Sequence, residues 1–306
     1  MRERIRRSGY LITWPIRRLA QALRRVAVWA SSKLDGVRAF FTEEPEDSSV
    51  PDAFTKAVDR PSDILLHLNA LRKHLLRASV VLLLAAGLSF LFARQMMEFL
   101  ARPLPGGFES LRAIDVTESL SSFMRISLLA GFAIALPYIV LELWLFAAPG
   151  LSSKSRLIGL MAIPTITFFF LTGMLFAYFV ILPTALPFLV GFMGIQTDPR
   201  PASYFPFVTS MMFWLGIVFQ FPLVIFFLTS LGIVDVRTLR RHSRLVIVLL
   251  AAVAAMITPT IDPISMLLVW GPLVALYYLG IGLGTLAQRG KERNSDPASE
   301  SRQVSS

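Results

Sequence analysis

The sequence predicts an all-α polytopic membrane protein with six transmembrane helices and both termini on the cytoplasmic side. Three observations predict it. Hydrophobic residues fill 55% of the 306 positions and charged residues only 16%, whereas soluble domains run at about 45–50% apolar and about 25% charged. Charge is also unevenly spread: long internal stretches hold almost none, while the first 77 residues and the last 20 are rich in it. Finally, six apolar runs approach the roughly 20 residues that a helix needs to cross a hydrocarbon core about 30 Å thick. With a mean hydropathy of +0.62, this pattern excludes a soluble enzyme, a disordered chain and a nucleic-acid binder that owes its net charge of +10 to one basic face. There are no cysteines, which removes disulfides, thiolate metal sites and cysteine nucleophiles.

The elements follow in chain order. Residues 1–34 form a basic extension in which Ile16, Leu19, Leu23, Val26 and Ala30 share one helical face while Arg17, Arg18, Arg24 and Arg25 lie on the other. That arrangement suits an interfacial helix attracted to anionic lipid; a basic tail without structure is the alternative. Residues 35–62 contain an acidic, Pro- and Ser-rich linker, TEEPEDSSVPDAF, expected to be disordered. Residues 63–286 hold the spans, at about Leu75–Ala93, Leu120–Ala147, Leu157–Leu182, Phe205–Leu231, Leu245–Thr258 and Ile264–Leu286. Spans five and six are short and are joined only by the turn TPTIDP; a re-entrant pair is the alternative to two crossings. Pro137, Pro164, Pro222 and Pro272 interrupt four spans, and each removes a backbone bond and bends its helix. Residues 287–306 form a cytoplasmic tail. With the N-terminus inside, 25 basic residues lie on the cytoplasmic side and 4 outside, as the positive-inside rule requires.

Ionisable groups within spans are functional candidates by default. Arg125 lies near the outer end of span two, where it either snorkels towards the interface or pairs with Glu118, seven residues earlier. Glu142, near the cytoplasmic end of the same span, is either solvated by headgroups or binds a partner. Asp262, in the outer turn, suits the cap of the sixth helix. Gln220 lies deep in span four, and a buried amide there needs a partner on another helix or a wet surface. His67, His74 and His242 lack metal-ligand spacing, and no zinc-protease, nucleophile-elbow or phosphate-loop motif occurs. No catalytic residue, metal or cofactor is therefore expected.

Local strings then become specific. HLNALRKHLLR (His67–Arg77), ARPL (Ala101–Leu104), ELWLFAAPGL (Glu142–Leu151) and GMLFAYFVILPTALPFL (Gly173–Leu189) occur in order. FQFP, GIV with TLRRHSR, TPTIDP (Thr258–Pro263) and ALYYLGIG (Ala275–Gly282) follow. Together they resemble the TatC family, the multispanning receptor of the twin-arginine protein translocase, over about Asp63–Leu286. The resemblance implies a concave, glove-like six-helix bundle with short helices five and six, in the cytoplasmic (inner) membrane of a prokaryote. It implies recognition of twin-arginine signal peptides on folded cargo and assembly with small single-span subunits of the TatA and TatB type. A homo-oligomer is also expected, and export would draw on the proton-motive force.

By the same resemblance, Leu71, Arg72, Phe146, Pro149 and Arg156 fall at signal-peptide-binding positions. Gln220 falls at an intramembrane partner contact, and Pro103, Glu118, Arg125 and Asp262 fall at outer-side positions. Two family glutamates are replaced, by Ala70 and by Ser155. Two readings stay open: Glu142 substitutes for the lost carboxylates, or the chain is a divergent paralogue that no longer reads arginine pairs and serves assembly or regulation. A small-molecule secondary transporter is the alternative from another class.

Overall fold

A computed structural model describes residues 61–150, 153–191, 198–230, 232–258 and 263–294. The basic extension, nearly all of the acidic linker, and Asp262 lie outside the described residues. Every regular element described is helical. The chain divides into two compact units, Met1–Ala70 with Trp144–Met161, and Leu71–Leu143 with Ala162–Ser306.

Helix α1 (Pro61–Phe90) runs into a turn at Leu91 and Phe92, and the amphipathic α2 (Ala93–Leu100) follows, burying Ala93, Met97 and Leu100. Pro103 sits in the turn beyond it, before a short 3-10 turn at Gly107–Ser110. Gly106, at φ 86°, enters that turn in a conformation that disfavours a side chain. Helix α3 (Val116–Ala147) opens with a capping box: the Asp115 carboxylate accepts from the Thr117 amide, and Glu118 accepts from the Asp115 amide. A 3-10 turn, Ala148–Gly150, leads to α4 (Ser153–Phe176). A π-helical turn at Ala177–Ile181 then joins α4 to α5 (Leu182–Val190). Pro183 follows this wide turn; it has no N–H to give and would clash with the carbonyl four residues back, which the extra residue relieves.

The fourth run is broken into α6 (Pro201–Val218) and α7 (Phe221–Ser230). Pro222 cannot donate to the Val218 carbonyl, and the bonds tighten at the break, Gln220 N–H donating to Ile217 rather than to Gly216. Helix α8 (Val236–Arg241) is capped by the Asp235 carboxylate, which accepts from the Arg237 amide at 2.9 Å. Helix α9 (Ser243–Ile257) and helix α10 (Pro263–Asn294) complete the described residues.

Among the described residues, five stretches are long and apolar enough to cross a membrane: His67–Phe90, Val116–Ala147, Gly159–Val190, Pro201–Ser230 and Pro263–Gln288. The fifth expected span, α9, is an apolar helix of 15 residues, about 22 Å long and short of the hydrocarbon core. The expectation of a short sixth helix is corrected. Its apolar stretch reaches Gln288 and its helix Asn294, because AQRGKERN is rich in good helix formers and carries no proline.

Within the larger unit, glycines set the closest approaches. Gly280 lies against Pro222 and Ile225, and Gly284, one turn on, lies against Thr229 and Val236, so α10 meets α7 through a small-xxx-small pattern. A side chain at Gly131 would stand 2.5 Å from the backbone of Ala86 on α1. Because backbone cannot rotate away, Gly131→Ala is expected to destabilise the fold by about 1–3 kcal/mol through overpacking. Thermal unfolding of the purified protein checks this; an unchanged midpoint would show that α1 and α3 separate freely.

Candidate functional site

Helix α3 carries two buried carboxylates, Glu118 and Glu142. They lie 24 positions apart, about 36 Å along the axis. Each is held differently.

Near the helix start, Glu118 Oε1 accepts from the Arg200 guanidinium and, at 3.2 Å, from the Asp115 amide. The carboxylate also faces the amide of Ala202 in the first turn of α6, where the helix end favours negative charge. The carboxylate pushes the Arg200 guanidinium above its ordinary pKa, chiefly through their hydrogen bond. Beside them Ser122 Oγ donates to the Pro201 carbonyl, and the Arg112 amide donates to the Pro199 carbonyl. The pairing of Glu118 with Arg125 is not made. Seven residues span about 10 Å of helix, whereas the start of α6 delivers Arg200 directly to the carboxylate.

Near the helix end, Glu142 is 4% exposed at its side chain. Tyr138, one turn earlier, donates its hydroxyl to Oε1 at 2.5 Å. His74 of α1 places Nδ1 2.5 Å from Oε2. Glu142 is therefore not a headgroup-solvated carboxylate. It is clamped in one orientation by two groups of the chain itself, with two of its roughly four lone-pair positions used.

The remaining candidates are spread along the chain. Leu71 is half-buried and Arg72 exposed, both on α1. In the smaller unit the half-buried Phe146 packs its ring against that of His67, with centroids 4.3 Å apart and the planes tilted by 35°. Pro149 is exposed in the 3-10 turn, and Arg156 falls in the first turn of α4. Gln220 donates from Nε2 to the Ile166 carbonyl of α4 at 3.1 Å, and more weakly to the Gly216 carbonyl at 3.4 Å. The amide thus serves the carbonyl freed by the helix break and ties α7 to α4. Gln220→Leu is expected to cost about 0.5–1.5 kcal/mol, read as a lower unfolding midpoint; no change would mean water serves those carbonyls equally well. Arg125 is exposed and lines a cavity with residues of α1, α3 and α6.

Sequence reasoning missed His74, Tyr138 and Arg200. The Tyr138–Glu142 spacing of four was a readable signal on a helix. His74 and Arg200 lie 68 and 82 positions from their partners, and no local pattern joins them.

Fold and sites define a polytopic α-helical membrane protein built on a long second span with a clamped carboxylate near each end. Its family follows from comparison. The family model for the Sec-independent protein translocase protein (TatC) matches residues 66–272. The chain is 31% identical to the TatC protein of Koribacter versatilis over 247 residues, 77% of this chain and 91% of the relative. To that of Deinococcus radiodurans it is 36% identical over 225 residues, 71% and 83% of the two. A crystal structure of the twin arginine translocase receptor TatC matches at TM-score 0.64 and 32% identity, covering 72% of this chain and 99% of that one. The chain belongs to the TatC family. It is a core subunit of the Sec-independent protein translocase, a transport protein and not an enzyme.

Proposed function

We propose that this subunit is the receptor that binds the signal peptides of folded proteins carrying paired arginines, and that Glu142 supports their recognition. The observation that carries the reading is the clamped Glu142 carboxylate, in a chain where Ala70 and Ser155 stand at two positions where the family resemblance implies glutamate. Paired guanidiniums want carboxylates that accept bidentate bonds at a partly desolvated edge. Glu142 retains acceptor capacity after Tyr138 and His74 are served. Leu71, Arg72, Phe146, Pro149 and Arg156 are proposed to line the peptide's path, with Gln220 contacting a partner helix and Pro103, Glu118, Arg125 and Asp262 shaping the outer side.

The topology that goes with this reading has six spans, α9 included, with both termini cytoplasmic in the inner membrane of a prokaryote. Its support is the 25-to-4 division of basic residues. Small single-span subunits of the TatA and TatB type are the proposed partners, in an assembly that uses the proton-motive force and contains more than one copy of this chain. The basic extension is proposed to sit on anionic lipid.

One feature favours the second reading, a paralogue that no longer reads arginine pairs: both Glu142 oxygens already accept bonds within the chain. Crosslinking a twin-arginine signal peptide and its twin-lysine counterpart to the full-length protein separates the two. The receptor reading expects capture of the arginine form at least about tenfold stronger. Equal capture, or none, supports the paralogue.

A further inference from the structure

We propose that a cavity beside Arg125 is a phospholipid site, in which the guanidinium takes the lipid phosphate and one acyl chain lies along the apolar wall. The cavity measures about 330 Å³ and lies within the larger unit, between α1, α3 and α6. Arg125, Thr209 and Ser210 supply its polar lining; Leu128, Phe132 and Phe213 are among the apolar lining. Phe132 and Phe213 meet edge to face at 5.3 Å and form a firm aromatic wall. The close approach of Gly131 to Ala86 holds α1 and α3 together beside it.

Three observations select the occupant. First, Arg125 makes no hydrogen bond or ion pair with the described residues. It lies nine residues into α3, about 14 Å from the helix start. A centred helix of that length puts it only about 5 Å inside the hydrocarbon boundary. A guanidinium at that depth can reach the lipid headgroups, and a phosphodiester there accepts its planar fork bidentately. Second, Ser210 makes no hydrogen bond within the described residues, so its hydroxyl is available to the same headgroup, whereas Thr209 is committed to the Phe205 carbonyl at 2.7 Å. Third, the volume lies at the small end for ligand pockets. It admits a headgroup and part of one chain. It is too small to enclose a further helix, which is about 10 Å across.

Native mass spectrometry of the full-length protein in mild detergent, titrated with phosphatidylglycerol, tests this. The expected result is one tightly held lipid per chain. Diacylglycerol, which lacks the phosphate, should bind at least about tenfold more weakly, matching the loss of a charge-assisted pair. Arg125→Gln should show the same loss for phosphatidylglycerol, and Arg125→Lys an intermediate one. Leu128→Trp, which fills the apolar wall while keeping the charge, should also weaken binding and serves if the arginine variants fail to fold. Undiminished binding to both Arg125→Gln and Leu128→Trp would overturn the proposal. Displacement of the lipid by inorganic phosphate would overturn it in favour of a free-anion site. Crosslinking from position 128 to a single-span subunit in place of lipid would overturn it in favour of a protein partner.

Discussion

Replacing Glu142 with glutamine is expected to lower export of a twin-arginine reporter by at least about tenfold, in cells lacking any other receptor of this kind, while leaving the fold intact. Glutamine keeps the volume and offers one acceptor and one amide donor. Tyr138 can still donate to its oxygen, and His74 can turn its Nδ1 into an acceptor for its NH₂. The variant loses only the negative charge. A hydrogen bond to a charged group in a desolvated site contributes about 1.5–3 kcal/mol, or roughly 10- to 150-fold in affinity. Glu142→Leu is a different experiment. It strands the Tyr138 hydroxyl and the His74 ring nitrogen beside an apolar group, each costing about 1–3 kcal/mol, and should lower the unfolding midpoint as well as export. The comparison is the test. If Glu142→Gln exports normally while Glu142→Leu unfolds early, the carboxylate is a structural clamp and recognition of arginine pairs lies elsewhere.

This dependence on distant partners also marks how far the sequence could be read. Spans were legible because apolar runs near 20 residues have few other physical uses, and α3 runs to within a few residues of where composition put it. Of the four span prolines, Pro222 marks a helix break, whereas Pro137, Pro164 and Pro272 lie inside continuous helices; the π turn ahead of Pro183 was not legible. Such a turn depends on how α4 packs as well as on the proline. The candidate site divides in the same way. Glu118 and Glu142 drew notice as carboxylates in apolar sequence, and Tyr138 was one turn away on the same face. His74 and Arg200 were invisible as partners, since tertiary packing alone brings them near. The glycines against Ala86 and Pro222 were equally silent, because a close approach is a property of two helices and only one of them carries the glycine.

Glu118 should prove the more important of the two carboxylates for stability. Glu118→Ala removes the third-position acceptor of the capping box at the start of α3, a feature that contributes about 1 kcal/mol. It also strips the Arg200 guanidinium of its partner. Arg200 is 44% exposed at its side chain and can turn to water, so that second loss is discounted, and a total of about 2–3 kcal/mol is expected. Arg200→Ala works the other way. It leaves Glu118, only 4% exposed, as a buried charge with backbone amides for company, which costs about 1–3 kcal/mol. The double variant Glu118→Gln with Arg200→Ala removes both charges and keeps an acceptor for the Asp115 amide. It should therefore be more stable than Arg200→Ala alone, the coupling expected of residues in direct contact. Thermal unfolding of the unsubstituted protein, Glu118→Gln, Arg200→Ala and the double variant in one detergent measures this. If the double variant loses the sum of the two single losses, Glu118 and Arg200 act independently and the link between the start of α3 and the start of α6 rests on Ser122 and Pro201 instead.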